Sequence, residues 1–498
     1  MRLAVVILAL ALASPALPQA AVEPTSVEAN SVVVQSIFEE NRLTNHIPGS
    51  VFGVVKDGRL ILVKGLGVRD LETGVAVDAD TRFRIASMSK AFTALAILKL
   101  HDEGKISLDA PASRYIPQLR RWRSATSDSR PITVRDLLHH TAGFVEDNPW
   151  GDRQQVLTEA EFTGLITSGM DFANAPGTRM EYSNYGYALL GRIISNVSKQ
   201  PYQDYIRRQI MVPLGMNSTG YDIAKSPAGS RAIGYRWQDD AWLREPDMRD
   251  GAFGAMGGVE TTANDYAKWV TFLLSAWPAH DGPETGPVKR STVRDLVAIA
   301  SPRPANNRAA ELGPPCRQSM AYAAALNVID DCDLGRVLTH SGGYPGYGSN
   351  MVLLPEAGVG IFVFNNRTYA SSSLAVLKAL FALRRAGAIP DRAVAVSPGL
   401  AQAYGLAKMV WLSGDPARAA LANNVLMDRD LARRAKDIAD LKSKVGTCAM
   451  NEPIVAISAM EGTFTWTCAE GKVSGRIQRA PLAALQFQVI DFRLVPAT

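Results

Sequence analysis

The sequence predicts an α+β fold, in which one antiparallel sheet is built from strands at both ends of a long region with a helical insertion between them. Two apolar β-branched runs, Ser50–Val55 and Leu60–Val63, flank Lys56-Asp57-Gly58-Arg59 near its start. Asp-Gly between such runs is a hairpin signal, because both residues tolerate positive φ. Three more runs, Gly335–His340, Asn350–Leu354 and Val359–Asn365, stand near its end, followed by an apolar helix over Ser372–Arg385. From about 105 to 320 the pattern is short helices joined by Pro- and Gly-containing loops. One sheet fed from both sides, with helices packed on it, implies a three-layer arrangement.

In chain order, residues 1–20 have the form of a secretory signal peptide. Arg2 supplies the positive n-region, Leu3–Ala13 the apolar stretch and Ser14-Pro15-Ala16 small residues for cleavage. That stretch is short of the roughly 20 residues a membrane helix needs, so export without a stable span after cleavage is expected. Val32–Leu43 has amphipathic helical spacing. Phe83-Arg84-Ile85 leads into a helical pattern that runs from the Ser87 region to about His101 and stops near Gly104. Val134–His140 is a short helix ended by Thr141-Ala142-Gly143, and Tyr185–Val197 carries Gly186, Leu189, Leu190 and Ile193 on one stripe. Asn264–Leu274 follows Thr262 as N-cap, with Asp265 three residues on as in a capping box. Ala388–Gly399, with two prolines and no period, is expected to be a linker. The expected domains are thus a main unit over 30–387, the linker over 388–399 and an accessory α+β unit over 400–498, helical first and then alternating as strands.

Composition narrows the function. The chain of 498 residues is 47% hydrophobic and 20% charged, an ordinary globular balance with room for a sizeable core. A net charge of +5 with no basic run longer than Arg120-Arg121-Trp122-Arg123 gives no support to nucleic-acid binding. Four cysteines in an exported chain fit two disulfides; of the three connectivities, Cys316–Cys332 with Cys448–Cys468 is the simplest. Neither pair has zinc-ligand spacing and no His pair stands near, so neither metal nor cofactor is expected. A small molecule or short peptide is the expected partner.

Three stretches carry the chemistry. In Ser87-Met88-Ser89-Lys90, positions i and i+3 share a helical face, so a hydroxyl and an ammonium meet in one pocket. A serine is a weak nucleophile until a neighbouring base takes its proton, and a desolvated lysine can be that base or assist one. S-x-x-K is expected about once by chance in a chain of this length, so its partners decide. Tyr182-Ser183-Asn184, the only Y-x-N, precedes a helix. A lysine cation beside Tyr182 would lower its phenol pKa and let it accept the serine proton, while Asn184 can orient a carbonyl or hold Lys90. Third, His340-Ser341-Gly342-Gly343 ends a strand; glycines there admit a substrate backbone and leave an N–H free. With the Ser87 N–H, that of Gly343 would form a two-donor oxyanion hole. The competing His280-Asp281-Gly282 sits in a Pro-rich loop without a strand.

These stretches stand in order, 95 and 158 residues apart. Together they resemble the serine β-lactamase and penicillin-binding protein family, with its S-x-x-K, Y-x-N and K/H-x-G motifs. The resemblance covers about residues 30–385, and LLHHTAGF at 137–144 and AMGGVETTA at 255–263 are similar to further stretches of its class C-like branch. It implies a β-lactamase-like sheet flanked by helices, Ser87 as acylated nucleophile, Lys90 and Tyr182 as base system, and Asn184, His340, Ser341, Gly342 and Gly343 on the substrate. His340 is a departure, standing where penicillin-directed members carry lysine. A histidine is mostly neutral at pH 7 and is a poor receiver for a substrate carboxylate. The pattern therefore points to a D-aminopeptidase-like or esterase-like hydrolase, with a β-lactamase, a D-Ala-D-Ala carboxypeptidase or a non-catalytic binding protein as alternatives. An α/β-hydrolase is disfavoured by the absence of G-x-S-x-G, and adjacent His139 and His140 point about 100° apart on a helix, unsuited to one metal.

Overall fold

The structure, a computed structural model, describes residues 26–496 except 124 and 281; the leader expected over 1–20 lies outside the described residues. The main sheet has eight strands: β1 (Gly49–Lys56), β2 (Arg59–Gly67), β3 (Ser301–Asn307), β4 (Arg317–Tyr322), β5 (Asn327–Asp331), β6 (Gly335–Tyr344), β7 (Tyr347–Leu354) and β8 (Val359–Asn365). They are ordered β2-β1-β8-β7-β6-β5-β4-β3, all antiparallel. The hairpin between β1 and β2 turns on Asp57 and Gly58, both at positive φ (49° and 78°). The two ends of the region meet where β1 pairs with β8, Ser50 opposite Asn365 and Lys56 opposite Val359.

Side chains on these central strands alternate between two cores, because successive residues of a strand point to opposite faces. Val51, Phe362 and Phe364 join the core under α2 (Lys90–Asp102), α3 (Asn184–Ser198) and α4 (Ala263–Leu274). Phe52, Val54, Ile361 and Val363 join the opposite core, covered by α1 (Ser31–Thr44) and α5 (Ser373–Arg385). Burial on both faces explains why these strands read as continuous apolar runs.

Three expectations need correction. Part of the region read as helical, about 105–320, is sheet: β3 and β4 were not foreseen there, nor was β5 just beyond it. Strand β3 carries Pro302 and Pro304 and is largely exposed, which an edge strand tolerates because its outer N–H groups need no partner. The helix at Val134 ends at Leu138, since His140 takes a left-handed φ of 57°. At α4, Thr262 accepts the Asp265 N–H, but the Asp265 carboxylate turns away to the Ser218 N–H, the Thr219 hydroxyl and Lys268, so the box is only half formed.

Residues beyond the main sheet build a third core around α6 (Pro398–Ser413), α7 (Leu431–Val445) and the strands β9 (Glu461–Cys468), β10 (Gly471–Arg479) and β11 (Phe487–Leu494). Trp466 lies at its centre and donates through Nε1 to the Tyr404 hydroxyl at 2.8 Å. The stretch expected as a linker is not wholly exposed, since Ala388 and Ile389 are buried in the core beneath α5. Both local disulfides are formed, Cys316–Cys332 and Cys448–Cys468. No helix among the described residues is long and apolar enough to cross a membrane.

Candidate active site

Ser87 stands on a single 3₁₀ turn, Ala86–Ser89, that leads into α2. Ala86 has a left-handed φ of 49°, a sparsely populated conformation for a residue with a Cβ, and the turn is clamped from two sides. From one side, the 255–263 stretch wraps it. The Val259 N–H donates to Ser89 Oγ at 2.9 Å, the Ile85 N–H to the Val259 carbonyl at 3.0 Å, and Thr93 Oγ1 to the Ala255 carbonyl at 2.7 Å. From the other, Ser349 of β7 donates to the Ile85 carbonyl at 2.8 Å. This separates the two serines: Ser89 is fully buried and tied to the backbone, whereas Ser87 borders a cavity of about 1230 Å³.

Lys90 is fully buried, and its Nζ has three partners: Asn184 Oδ1 at 2.7 Å, the Met256 carbonyl at 2.8 Å and Ser87 Oγ at 3.1 Å. Two of them can only accept. A neutral amine has two N–H groups for these acceptors and a lone pair left over for the Ser87 hydroxyl. Desolvation favours that form, pushing the Lys90 pKa down to about 7 despite the nearby Asp152 and Asp147. Asn184 Nδ2 donates to Asn148 Oδ1 at 2.9 Å, which keeps Oδ1 turned to the lysine.

Tyr182 lies over the same cation, with Nζ 4.8 Å from its ring centroid. The expectation that Lys90 lowers the phenol pKa is not met. Burial pushes it well above its ordinary value, and its contact with Ser87 only partly opposes this; Asp152, Asp147 and Glu146 add to the rise. The lysine nitrogen sits against the face of the ring and spends its hydrogen bonds elsewhere, so the phenolate gains little from it.

The loop that presents Tyr182 and Asn184 is held by Asp147, which had no signal in the sequence, and by His140. Asp147 accepts the Asn184 N–H at 2.6 Å, the Tyr185 N–H at 2.9 Å and the Ser183 hydroxyl at 3.1 Å, satisfying the open donors at the start of α3. His140, from the 137–144 stretch, accepts the Ser183 N–H on Nδ1 at 3.0 Å and packs between Tyr182, Tyr187 and Tyr322. A cap 37 residues away in sequence is visible only after folding.

The third motif lies on β6. Pairing with β5 stops at Thr339, so Ser341–Gly343 have no strand partner on that side, and Ser341 and Gly343 line the cavity. Gly342 has no room for a side chain: a Cβ there would stand 2.3 Å from the Ile85 carbonyl oxygen and 2.2 Å from Ser349 Oγ. We expect Gly342→Ala to lose about 1–3 kcal/mol of stability, as overpacked sites do, and to slow covalent labelling of Ser87 because the clash falls on the carbonyl two residues before it. Urea midpoints and labelling rates check this; an Ala variant equal to wild type in both would mean that the contact is not needed.

His340 also lines the cavity. Its Nδ1 donates to the Ser341 carbonyl at 2.6 Å and its Nε2 accepts the Tyr322 hydroxyl at 3.1 Å, so both nitrogens are occupied. Burial and the Lys90 charge push its pKa down to about 4. It is therefore a neutral part of the cavity wall. His280 is elsewhere, bonded to the Pro278 carbonyl and to Arg290.

Comparison with known proteins follows the same outline. The family model described as Beta-lactamase matches residues 34–383. Protein flp of Staphylococcus aureus is 29% identical over 336 residues, 67% of this chain and 62% of its own length. The chain thus matches somewhat less than two thirds of that relative. The uncharacterized protein MT1414 of Mycobacterium tuberculosis is 29% identical over 322 residues, 60% of this chain and 79% of its own. Among solved structures, the octameric penicillin-binding protein homologue from Pyrococcus abyssi superposes with a TM-score of 0.62 at 20% identity, covering 93% of this chain and 99% of that one. A class C beta lactamase from Rhodobacter sphaeroides gives 0.55 at 24% identity, covering 71% and 98%. Both show the shared fold.

Proposed function

The chain belongs to the beta-lactamase family, and from that premise we propose that it is an exported serine hydrolase that cleaves an amide or ester through an acyl group carried on Ser87. One observation carries the reading: Lys90 Nζ meets Ser87 Oγ at 3.1 Å while its two other partners are pure acceptors. Ser87 attacks the carbonyl carbon as its proton passes to the Lys90–Tyr182 pair. In this geometry Lys90 accepts it; as the bond to the leaving group breaks, Tyr182, otherwise held protonated by burial, hands that group its proton and is reprotonated from Lys90, so the pair ends as it began. The developing oxyanion is received by the backbone N–H groups of Ser87 and Gly343, donors that need no reorganisation as the charge forms. Water then repeats the sequence on the acyl-enzyme and releases the acid.

The substrate is an ester or a D-amino-acid amide rather than a β-lactam. A β-lactam brings a carboxylate, and the position that would receive it holds the neutral, saturated His340. A profile over a short-chain p-nitrophenyl ester, D-amino-acid amides and a chromogenic cephalosporin tests this. We expect turnover of the first two classes; efficient cephalosporin hydrolysis with weak ester and amide turnover would overturn the preference.

A pH dependence follows from the base. Lys90 works when neutral, and its pKa lies near 7, so kcat/KM should rise about tenfold per unit below neutrality and level off above it. A profile falling through the same range would require the ammonium form and refute this division of roles.

A further inference from the structure

The cavity that Ser87 and His340 line also holds a carboxylate that the acyl-enzyme route does not use. Asp152 is 3% exposed yet lines the cavity. Gly151, the residue before it, packs against Asn184 so closely that a Cβ would stand 2.7 Å from the Asn184 Cβ, which draws Asp152 in beside the Lys90 site. Its Oδ2 accepts the Tyr369 hydroxyl at 2.8 Å, and no described residue donates to its Oδ1. Lys90 does not compensate it by contact, since the amine's hydrogen bonds go to Asn184, Met256 and Ser87. An enclosed carboxylate with one neutral donor is poorly compensated; burial raises its pKa accordingly. Other charges near it are Asp147, which adds repulsion, and Arg153, which is exposed. Of the other charged residues on the cavity, Arg179, Arg303 and Glu146 are exposed, and half-buried Glu181 accepts the Glu146 N–H and Asn174 Nδ2, so Asp152 is the buried carboxylate of its wall.

Tyr369 connects this carboxylate to the oxyanion side. Its φ of 56° is left-handed, and the turn that holds it there is fixed by Asn365, whose Nδ2 donates to the Ala370 carbonyl at 2.6 Å. Such strain persists only where the surroundings impose it and marks candidate functional positions. The ring lies against Gly343, where a Cβ would be 2.5 Å from Cδ1. An acyl group seated on the Ser87 and Gly343 donors is therefore flanked by the Tyr369–Asp152 pair.

We propose that Asp152 is a specificity-determining residue that receives a positively charged ammonium group on the acyl part of the substrate, and that Tyr369 positions it. The proposal rests on the serine-hydrolase reading and narrows its substrate class to acyl donors with a free amino group near the scissile carbonyl. The ammonium would give Oδ1 the charged donor it lacks, a stronger partner than a neutral one.

The test compares kcat/KM for D-alanine benzyl ester and its N-acetyl derivative at pH 7 with the full chain. Wild type should prefer the free amine at least tenfold. Asp152→Asn should bring the ratio close to one, and Tyr369→Phe should lower it part of the way, whatever either does to absolute rates. A wild-type ratio near one, or an unchanged ratio in folded Asp152→Asn, overturns the proposal; the wild-type ratio decides should the variants fail to fold. Fluorophosphonate labelling separates the two levels. A labelled wild type without amine preference refutes the Asp152 role alone, whereas an unlabelled one that turns over neither ester refutes the serine-hydrolase reading and this proposal with it.

Discussion

Ser87→Ala should abolish covalent labelling by a fluorophosphonate probe and lower turnover of a short-chain p-nitrophenyl ester by about 10³-fold or more, since removing a nucleophile leaves only binding and oxyanion stabilisation. The effect should be specific to this hydroxyl. Ser89 is two residues away, but its Oγ is held by the Val259 N–H and has no opening to the cavity. Ser89→Ala should therefore still label, with a loss confined to stability. Intact-mass measurement after labelling checks both variants. Adduct formation at equal rate in Ser87→Ala, or its loss only in Ser89→Ala, would move the nucleophile and dismantle the site as described.

Lys90→Met should lose activity to a similar degree while keeping the fold, and its stability should show a pH signature. In the folded protein the amine titrates near 7, against an ordinary value of 10.5. Between those values the unfolded chain holds a proton that the folded chain does not, so this residue makes stability rise with pH across that window, by up to about 1.4 kcal/mol per unit. Below pH 7 both states are protonated, and the charged form in its dry site costs roughly 4–5 kcal/mol at this shift. Methionine removes that cost but leaves Asn184 Oδ1 and the Met256 carbonyl without a donor, about 1–3 kcal/mol each. At pH 6 the two effects nearly offset each other. By pH 9 wild type should be the more stable, as urea midpoints at pH 6, 7.5 and 9 would show. A difference that stays constant with pH would mean that Lys90 is not desolvated as its position implies.

The parts of the fold legible in the sequence were those set by local chemistry. Asp57-Gly58 specifies its turn through backbone freedom, α3 declares itself by apolar spacing, and α4 follows its Thr262 cap. The disulfides were the simplest pairing because each closes a short loop, 16 and 20 residues. Where local signals run against tertiary pairing, sequence reading failed. Strand β3 looks like a Pro-rich loop until β4 lies beside it, Ser301 opposite Tyr322. The burial of Ala388 and Ile389 beneath α5 likewise has no local signal.

The site divides in the same way. Ser87, Lys90, Tyr182 and Asn184 were legible because their spacing on helical starts matches a known set of motifs, and the three side chains of Ser87, Lys90 and Asn184 do meet. Roles were less legible than positions. Tyr182 was expected to be made acidic by Lys90, but a cation lying over the ring face does not replace solvent at the phenol oxygen. The partners of His340 on the cavity wall, a strand-end carbonyl and a tyrosine from β4, had no signal in the sequence.

What the sequence determined by itself, then, was which candidate reactive groups exist and where along the chain they stand, because a serine and a lysine at helical spacing, a Y-x-N and a glycine edge are properties of residue type and short spacing. Tertiary structure decided the charge state of those groups and which distant residues support them. Asp147, His140, Asp152 and Tyr369 act on Asn184, Tyr182 and Gly343 from other segments, and burial sets the protonation of Lys90, Tyr182 and His340. Desolvation and hydrogen bonding between remote segments depend on what the folded chain places around an atom, and no local pattern of residues encodes that.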